Sequence, residues 1–178
     1  MDWDQYRRLL ASERLPAALA LLDALERNVD RLRARIEGTG RTVRVASKSV
    51  RHRGLLRRIL ARGGPSFAGL LCYSAEEAAW LATGDGALDD LLIAYPTVQP
   101  AALDQVAAAV ARGATIRAIV DCADHVEALS AAARRADTTL EAVIDLDVSY
   151  RPLGGRAHVG VRRSPLRTPE SVAALARA

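Results

Sequence analysis

Short apolar runs recur along this chain at a nearly constant spacing. They occupy residues 42–48, 67–74, 91–96, 115–122 and 140–149. Counted from Val43, successive runs begin 24, 24, 24 and 25 residues apart. Alanine- and leucine-rich stretches with helical spacing separate them, at 51–64, 75–86, 99–114 and 123–138. This alternation predicts parallel strands joined by right-handed helical crossovers, and therefore an α/β fold.

Two architectures fit this rhythm: a doubly wound sheet and a (β/α)8 barrel. The turn after the first run offers only Gly54, so it lacks the glycine-rich dinucleotide fingerprint, and the chain has no phosphate-loop motif. We therefore expect a barrel. Residues 1–41 would lead into it, and 42–178 would supply about five of its eight βα units. Residues 164–178 are predicted to be the fifth helix, capped by Thr168.

In a parallel barrel, active groups come from the carboxyl ends of the strands. The run ends supply Lys48, Tyr73, Ser74, Tyr95, Pro96, Asp121, Cys122, Asp147 and Ser149. Strand alternation places Lys48, Ala46 and Arg44 on one face, which we expect to look into the barrel. We also expect Leu70 and Ile93 to point inward.

Lys48 is the single lysine among 25 basic residues. Arginine keeps its proton, whereas a lysine amine that loses its charge can attack a carbonyl group. The alternative is a surface lysine left behind by a bias toward arginine. Its place at a strand end favours a chemical role.

Composition excludes several other classes of protein. No uncharged apolar stretch is long enough to span a membrane, and the amino terminus does not resemble a secretory signal. Scattered arginines and 4% aromatic residues argue against nucleic-acid binding. Cys72 and Cys122 stand apart from one another and from any Cys/His cluster, and His125 is expected to face solvent. These features indicate a reduced, cytoplasmic chain without a metal site.

Several segments together carry a family resemblance. RVASKSVR, LLIAYPT, DLDVSYRPLGG and HVGVRRSPLRTPE, in that order, resemble the bacterial amino acid deaminase/aldolase branch of the alanine racemase-type enzymes. The segment 19–32 is similar to the strand–helix opening of the same family, which implies that residues 1–41 form a strand and a helix leading into the barrel. The resemblance implies a barrel, a β-rich C-terminal domain that is absent from this chain, and a homodimer in the full-length form. It also implies pyridoxal 5'-phosphate as the cofactor, held as an aldimine of Lys48.

The activity implied is that of a lyase acting on a small amino acid. Its substrate would be a β-hydroxy amino acid, expected to be the D form, with aldolase or deaminase/dehydratase chemistry favoured over racemisation. The residues expected to bind the cofactor are Lys48, Arg44, Tyr73, Tyr95, Arg151 and His158.

This sequence departs from the family pattern at several of these positions. Ala46 and Val50 stand where D-threonine aldolases and D-serine dehydratases have histidines, and His158 stands in the register of an arginine near the cofactor's phenolic oxygen. Arg44 has a second interpretation as a residue of the barrel floor, and both tyrosines could simply cap the core.

Two other functions stay open at this point. One is a non-catalytic pyridoxal phosphate homeostasis protein, which holds the cofactor in a single barrel. The other is an inactive fragment, because the phosphate cup of a barrel usually comes from loops after strands seven and eight. Five strands would leave two open sheet edges, so we expect the isolated chain to be oligomeric, partner-bound or poorly soluble, and catalytically weak or inactive.

Overall fold

Five parallel strands form one sheet in the computed structural model, which describes residues 2–153 and 156–178. The strands are β1 (Val43–Ala46), β2 (Phe67–Cys72), β3 (Leu91–Ile93), β4 (Ile116–Val120) and β5 (Glu141–Ile144). They lie side by side in chain order, and every neighbouring pair is parallel. The α/β fold class and the partial parallel barrel are confirmed.

Helices fill the intervals that the sequence predicts. They are α1 (Trp3–Leu10), α2 (Leu22–Ile36), α3 (Arg53–Gly63), α4 (Ala75–Leu81), α5 (Pro100–Ala111), α6 (Ala123–Arg135) and α7 (Pro169–Leu175). Short 3-10 turns follow β1 and α3, at Ser47–Ser49 and Gly64–Ser66. Within the described lead-in, residues 2–41, the segment before α2 forms no strand. None of the described helices combines the length and the hydrophobicity needed to cross a membrane.

The main core lies between the sheet and α4, α5 and α6. Leu70, Leu91, Ile93, Leu103 and Val106 are all buried there. The prediction that Leu70 and Ile93 point into the barrel is therefore wrong, since both belong to this helix-facing core. Ile93 shares its face with Leu91 because they are two positions apart on one strand.

A bulge at Gly69 explains the position of Leu70. Val43 pairs with Phe67, but Val45 pairs with Leu70, so β2 contains one residue more than β1 over this interval. Gly69 has a φ of +79°, and a Cβ added there would lie 1.9 Å from the carbonyl oxygen of Asp90. Simple alternation fails across such an insertion, because the bulge moves every later residue to the other face.

The opposite face of the sheet, which faces the barrel interior, is only half-buried. Register pairs Ala46 with Leu71, Leu71 with Leu92, and Ile119 with Val143 on this face. Within the described residues, β1 and β5 each pair with one strand only, so the sheet has two open edges. The face and the edges give the chain apolar surface that it does not cover itself.

The fifth apolar run is shorter as a strand than the sequence predicts. β5 ends at Ile144, and the chain then folds back on its own loop. The Asp147 N–H donates to the Leu166 carbonyl at 2.8 Å, and Tyr150 pairs with Val159 in an antiparallel bridge. α7 follows, with Thr168 as N-cap in a capping box with Ser171, which confirms the predicted helix start.

Candidate functional site

Lys48 lies just beyond the carboxyl end of β1. The strand ends at Ala46, and Lys48 is the central residue of the 3-10 turn Ser47–Ser49. Its side chain is exposed, and its Nζ lies 5.9 Å from the ring centroid of Tyr95. The turn, rather than strand alternation, therefore sets the direction of this side chain.

Tyr73 and Tyr95 follow the carboxyl ends of β2 and β3. Their ring centroids are 5.5 Å apart in an edge-to-face arrangement, and about half of each side chain is exposed. Because Lys48 lies next to Tyr95, three of the residues that the sequence predicts meet at one rim of the sheet. An amine beside two partly exposed rings offers a place for a flat, charged ligand.

Arg163 adds a second cation to this rim. Its guanidinium lies 5.4 Å from the Tyr95 centroid, and its Nη2 donates to the Ala94 carbonyl at 3.1 Å. Sequence reasoning does not select Arg163, because one arginine among 24 carries no distinguishing pattern. Arg163 comes close to Tyr95 only because the loop after β5 folds back.

A cavity of about 370 Å³ opens beside Arg163. Its lining comes from the loop after β5 and includes Asp145, Asp147, Ser149 and Gly160. This volume falls within the usual range for small-ligand sites. Arg163 therefore borders both the tyrosine rings and a concave space.

Glu77, on α4, connects the ends of β1 and β2 beneath the rim. Its Oε2 accepts from the Ser47 hydroxyl at 2.7 Å and from the Tyr73 N–H at 2.7 Å. Ser47 is fully buried beside Lys48. One half-buried carboxylate thus fixes the backbone next to both Lys48 and Tyr73. The sequence does not indicate this role, because Glu77 is one of two adjacent glutamates.

Arg44 lies toward the opposite, amino-terminal end of the strands. Its guanidinium donates to the Asp90 carboxylate and to the Asp90 carbonyl, both at 2.7 Å. Arg117 contacts the same carboxylate and also pairs with Glu141. This ladder of ion pairs supports a floor position for Arg44, and the structure does not bring Arg44 together with Lys48 and the tyrosines.

Arg151 and His158 lie in the loop after β5. Arg151 pairs with Asp147, whose side chain is almost completely buried. Hydrogen bonds from Ser149 and Arg151 lower the pKa of Asp147 to about 2. His158 donates from Nε2 to the Gly160 carbonyl at 2.8 Å. Both residues therefore hold this loop in shape, and their predicted contact with the cofactor stays a prediction.

Cys122 contacts a histidine that follows it by three residues. Its Sγ lies 3.2 Å from Nδ1 of His125, and the same nitrogen lies 2.8 Å from Oδ1 of Asp121. The expectations that Cys122 stands apart from histidine and that His125 faces solvent are wrong. The turn from β4 into α6 brings the three side chains together. Cys72 differs, since burial, followed by the charge of Glu77, raises the pKa of its thiol to about 12.

The chain as a whole is similar to known enzymes. The chain is 28% identical over 163 residues to a 3-hydroxy-D-aspartate aldolase of Paracoccus denitrificans, covering 92% of this chain and 38% of that protein. The crystal structure of D-threonine aldolase from Filomicrobium marinum matches with a TM-score of 0.75 at 23% identity, covering 94% of this chain and 41% of that one. D-threo-3-hydroxyaspartate dehydratase from Delftia sp. HT23 matches with a TM-score of 0.66 at 23% identity, covering 94% and 49%.

These matches confirm the alanine racemase-type barrel fold and the expected relationship to enzymes of hydroxy amino acids. The chain spans less than half the length of each of these relatives. The sequence profile of the family "Alanine racemase, N-terminal domain" matches residues 21–163, most of the chain. The profile and the relatives together support pyridoxal 5'-phosphate as the cofactor, and the chain belongs to the alanine racemase N-terminal domain family.

Proposed function

We propose that this chain is the cofactor-binding part of a pyridoxal phosphate-dependent lyase that acts on a β-hydroxy D-amino acid. The observation that carries the proposal is the position of Lys48. The only lysine of the chain stands at the carboxyl rim of the sheet, with its amine facing the ring of Tyr95. In a parallel barrel this rim is where reacting groups collect.

The residues at the rim suit the cofactor. Lys48 makes no ion pair with a carboxylate in the described part of the chain, so its amine is available for a covalent bond to an aldehyde. Tyr73 and Tyr95 provide ring faces and edges against which a planar heterocycle can pack. Arg163 supplies a fixed positive charge for an anionic group on cofactor or substrate. Lys48, Tyr73 and Tyr95 are therefore the residues that would hold the group.

Each residue has a separate task in the proposed reaction. When bound, pyridoxal phosphate withdraws electrons from a bond at the substrate Cα. Lys48 holds the cofactor before substrate arrives, and afterwards its free Nζ carries a proton to or from the substrate. Tyr95 limits the movement of the reacting groups from one side. Arg163 orients the substrate carboxylate by a charge-assisted hydrogen bond.

The substrate class comes from the relatives. The 3-hydroxy-D-aspartate aldolase, the D-threonine aldolase and the D-threo-3-hydroxyaspartate dehydratase are all named for amino acids with a hydroxyl on Cβ. We therefore infer a β-hydroxy D-amino acid as substrate. Two reactions are consistent with it: cleavage of Cα–Cβ to release an aldehyde, and loss of the β-hydroxyl followed by release of ammonia. We also infer that the active form is a homodimer.

The first experiment tests Lys48 directly. Titration with pyridoxal phosphate should produce an absorbance band near about 420 nm, and borohydride should then attach the cofactor to Lys48. Lys48→Arg should abolish both signals. Because the chain has one lysine, the amino terminus is the main competing amine, and peptide mass mapping separates the two.

A matched control moves the lysine by one turn. Arg51→Lys alone should keep the band at Lys48, whereas Lys48→Arg combined with Arg51→Lys should lack it. A band that persists in Lys48→Arg would contradict the assignment.

The second experiment tests the reaction. The cofactor-loaded chain is incubated with the D and L forms of 3-hydroxyaspartate and threonine, and aldehyde and ammonia are measured separately. Aldehyde supports the aldolase and ammonia supports the dehydratase. Cofactor bound at Lys48 with neither product would contradict lyase activity of this chain alone, and would favour a cofactor-holding protein or an inactive fragment.

A further inference from the structure

Three side chains of the types that ligate metals lie together where β4 passes into α6. Asp121 follows the last residue of β4, Cys122 is the N-cap of α6, and His125 lies in the first turn of that helix. One ligand atom from each lies within 4.8 Å of the other two. The cluster is separate from Lys48, Tyr73 and Tyr95 in sequence and contacts.

One ring nitrogen in the cluster contacts both the carboxylate and the sulfur. Nδ1 of His125 lies 2.8 Å from an Asp121 oxygen and 3.2 Å from the Cys122 sulfur. A single ring nitrogen either donates one proton or accepts one, so it does not satisfy both partners fully in the same state. A cation between the three atoms satisfies all of them at once.

We infer that Asp121, Cys122 and His125 form a binding site for a divalent transition-metal ion, with zinc the best match. Thiolate, imidazole and carboxylate together are typical zinc ligands, and sites with three protein ligands keep a fourth position open. Magnesium and calcium prefer oxygen ligands, so the sulfur and nitrogen argue against both.

The geometry requires little rearrangement. With ordinary zinc bond lengths, a tetrahedral site separates nitrogen from sulfur by about 3.6 Å and nitrogen from oxygen by about 3.4 Å. The observed distances of 3.2 and 2.8 Å are shorter by roughly half an ångström. Small rotations of three half-buried side chains would open that space.

The surrounding charge also permits a cation. The amino end of α6 carries about half a positive charge, which opposes metal binding. The Asp121 carboxylate, together with the Cys122 sulfur once a bound metal displaces its proton, would bring two negative charges, which outweigh it. Cys72 does not compete as a ligand, because it is fully buried and the pKa of its thiol is raised to about 12.

This inference is independent of the proposed lyase activity, so its test needs neither cofactor nor substrate. The metal-free chain is titrated with Co²⁺, which reports a sulfur ligand through a thiolate-to-cobalt charge-transfer band in the near ultraviolet. Zn²⁺ should then displace Co²⁺ and remove the band. Calorimetry gives the Zn²⁺ affinity and stoichiometry, and one ion per chain is expected.

Variants separate the three ligands from general charge effects. Cys122→Ser should abolish the charge-transfer band, and Asp121→Asn and His125→Gln should each weaken Zn²⁺ binding by about tenfold or more. Asp124→Asn is the matched control, since Asp124 is an exposed acid in the same helical turn. It should bind as the unaltered chain does. Circular dichroism checks that each variant is folded.

The Co²⁺ titration of the unaltered chain tests the site without depending on whether any variant folds. Saturating Co²⁺ with no charge-transfer band would overturn the site, because it would exclude sulfur coordination. Equal Zn²⁺ affinity in Cys122→Ser, His125→Gln and the control would overturn it too. The cluster would then be a hydrogen-bonded Asp–His pair with a neighbouring thiol.

Discussion

Replacing Glu77 by glutamine tests how the ends of β1 and β2 are held. The Glu77 carboxylate accepts two hydrogen bonds of 2.7 Å, from the buried Ser47 hydroxyl and from the Tyr73 N–H. The Ser47 hydroxyl has one proton, and its other possible acceptor, the Leu71 carbonyl, is farther away at 3.3 Å. Glutamine keeps the size of the side chain and one neutral acceptor oxygen, but removes the charge.

The expected decrease in the free energy of unfolding follows from these two hydrogen bonds. A hydrogen bond to a charged group contributes about 1.5–3 kcal/mol, and a neutral one about 0.5–1.5 kcal/mol. Two such exchanges would cost about 2–3 kcal/mol, and partial exposure of Glu77 reduces this to about 2 kcal/mol. For a chain of this length, that corresponds to a decrease in Tm of about 4–8 °C.

The assay is urea unfolding followed by far-ultraviolet circular dichroism, compared between Glu77→Gln and Glu76→Gln. Glu76 is exposed and lies in the same helical turn, so both variants remove one negative charge near the start of α4. Only Glu77→Gln should lower the midpoint substantially. Equal midpoints for the two variants would refute the argument that the buried hydrogen bonds, rather than helix charge, stabilise this region.

Three further predictions concern other parts of the chain. The pKa of Asp147 is lowered from 3.8 to about 2, first by Ser149 and then by Arg151, so its contribution to stability is complete above pH about 4 and lost as the pH falls through about 2. Asp147→Asn should therefore flatten acid unfolding over that window in a circular-dichroism titration, and an unchanged acid limb would contradict this. Gly69→Ala should destabilise the sheet by about 3 kcal/mol, because its Cβ would meet the Asp90 carbonyl. Gly38→Ala, with a similar φ and open space, should cost about 1 kcal/mol in the same urea assay, and equal losses would count against the clash. The isolated chain should self-associate through its open edges, as measured by size-exclusion chromatography with light scattering, and a stable monomer that binds pyridoxal phosphate tightly would show this to be wrong.

The repeat predicts the fold well because each βα unit follows local rules. Strand positions, the intervening helices and the Thr168 cap all depend on short-range patterns that are visible in the sequence. The orientation of Leu70, in contrast, does not follow from short-range patterns. The bulge at Gly69 is set by the backbone of Asp90, which approaches from a loop 21 residues later. A contact of that kind leaves no mark on the local alternation.

Some residues of the candidate site are likewise predictable from the sequence, and others are not. Lys48, Tyr73 and Tyr95 follow strand ends, so their meeting at one rim is predictable from parallel topology. Arg163 reaches the rim through an irregular loop, which no periodicity describes. The His125 contact with Cys122 needed only the helical spacing of three residues, but it required an accurate start for α6.

The serial order of the strands has a consequence for how the sheet assembles. Every paired position in it joins residues 21 to 25 apart in the chain. The entropy of closing a loop depends on the logarithm of its length, so each new pairing costs nearly the same. During synthesis each strand emerges after its partner, and no strand has to wait for a distant one. The entropic cost of extending this sheet is therefore spread almost evenly over its four pairings.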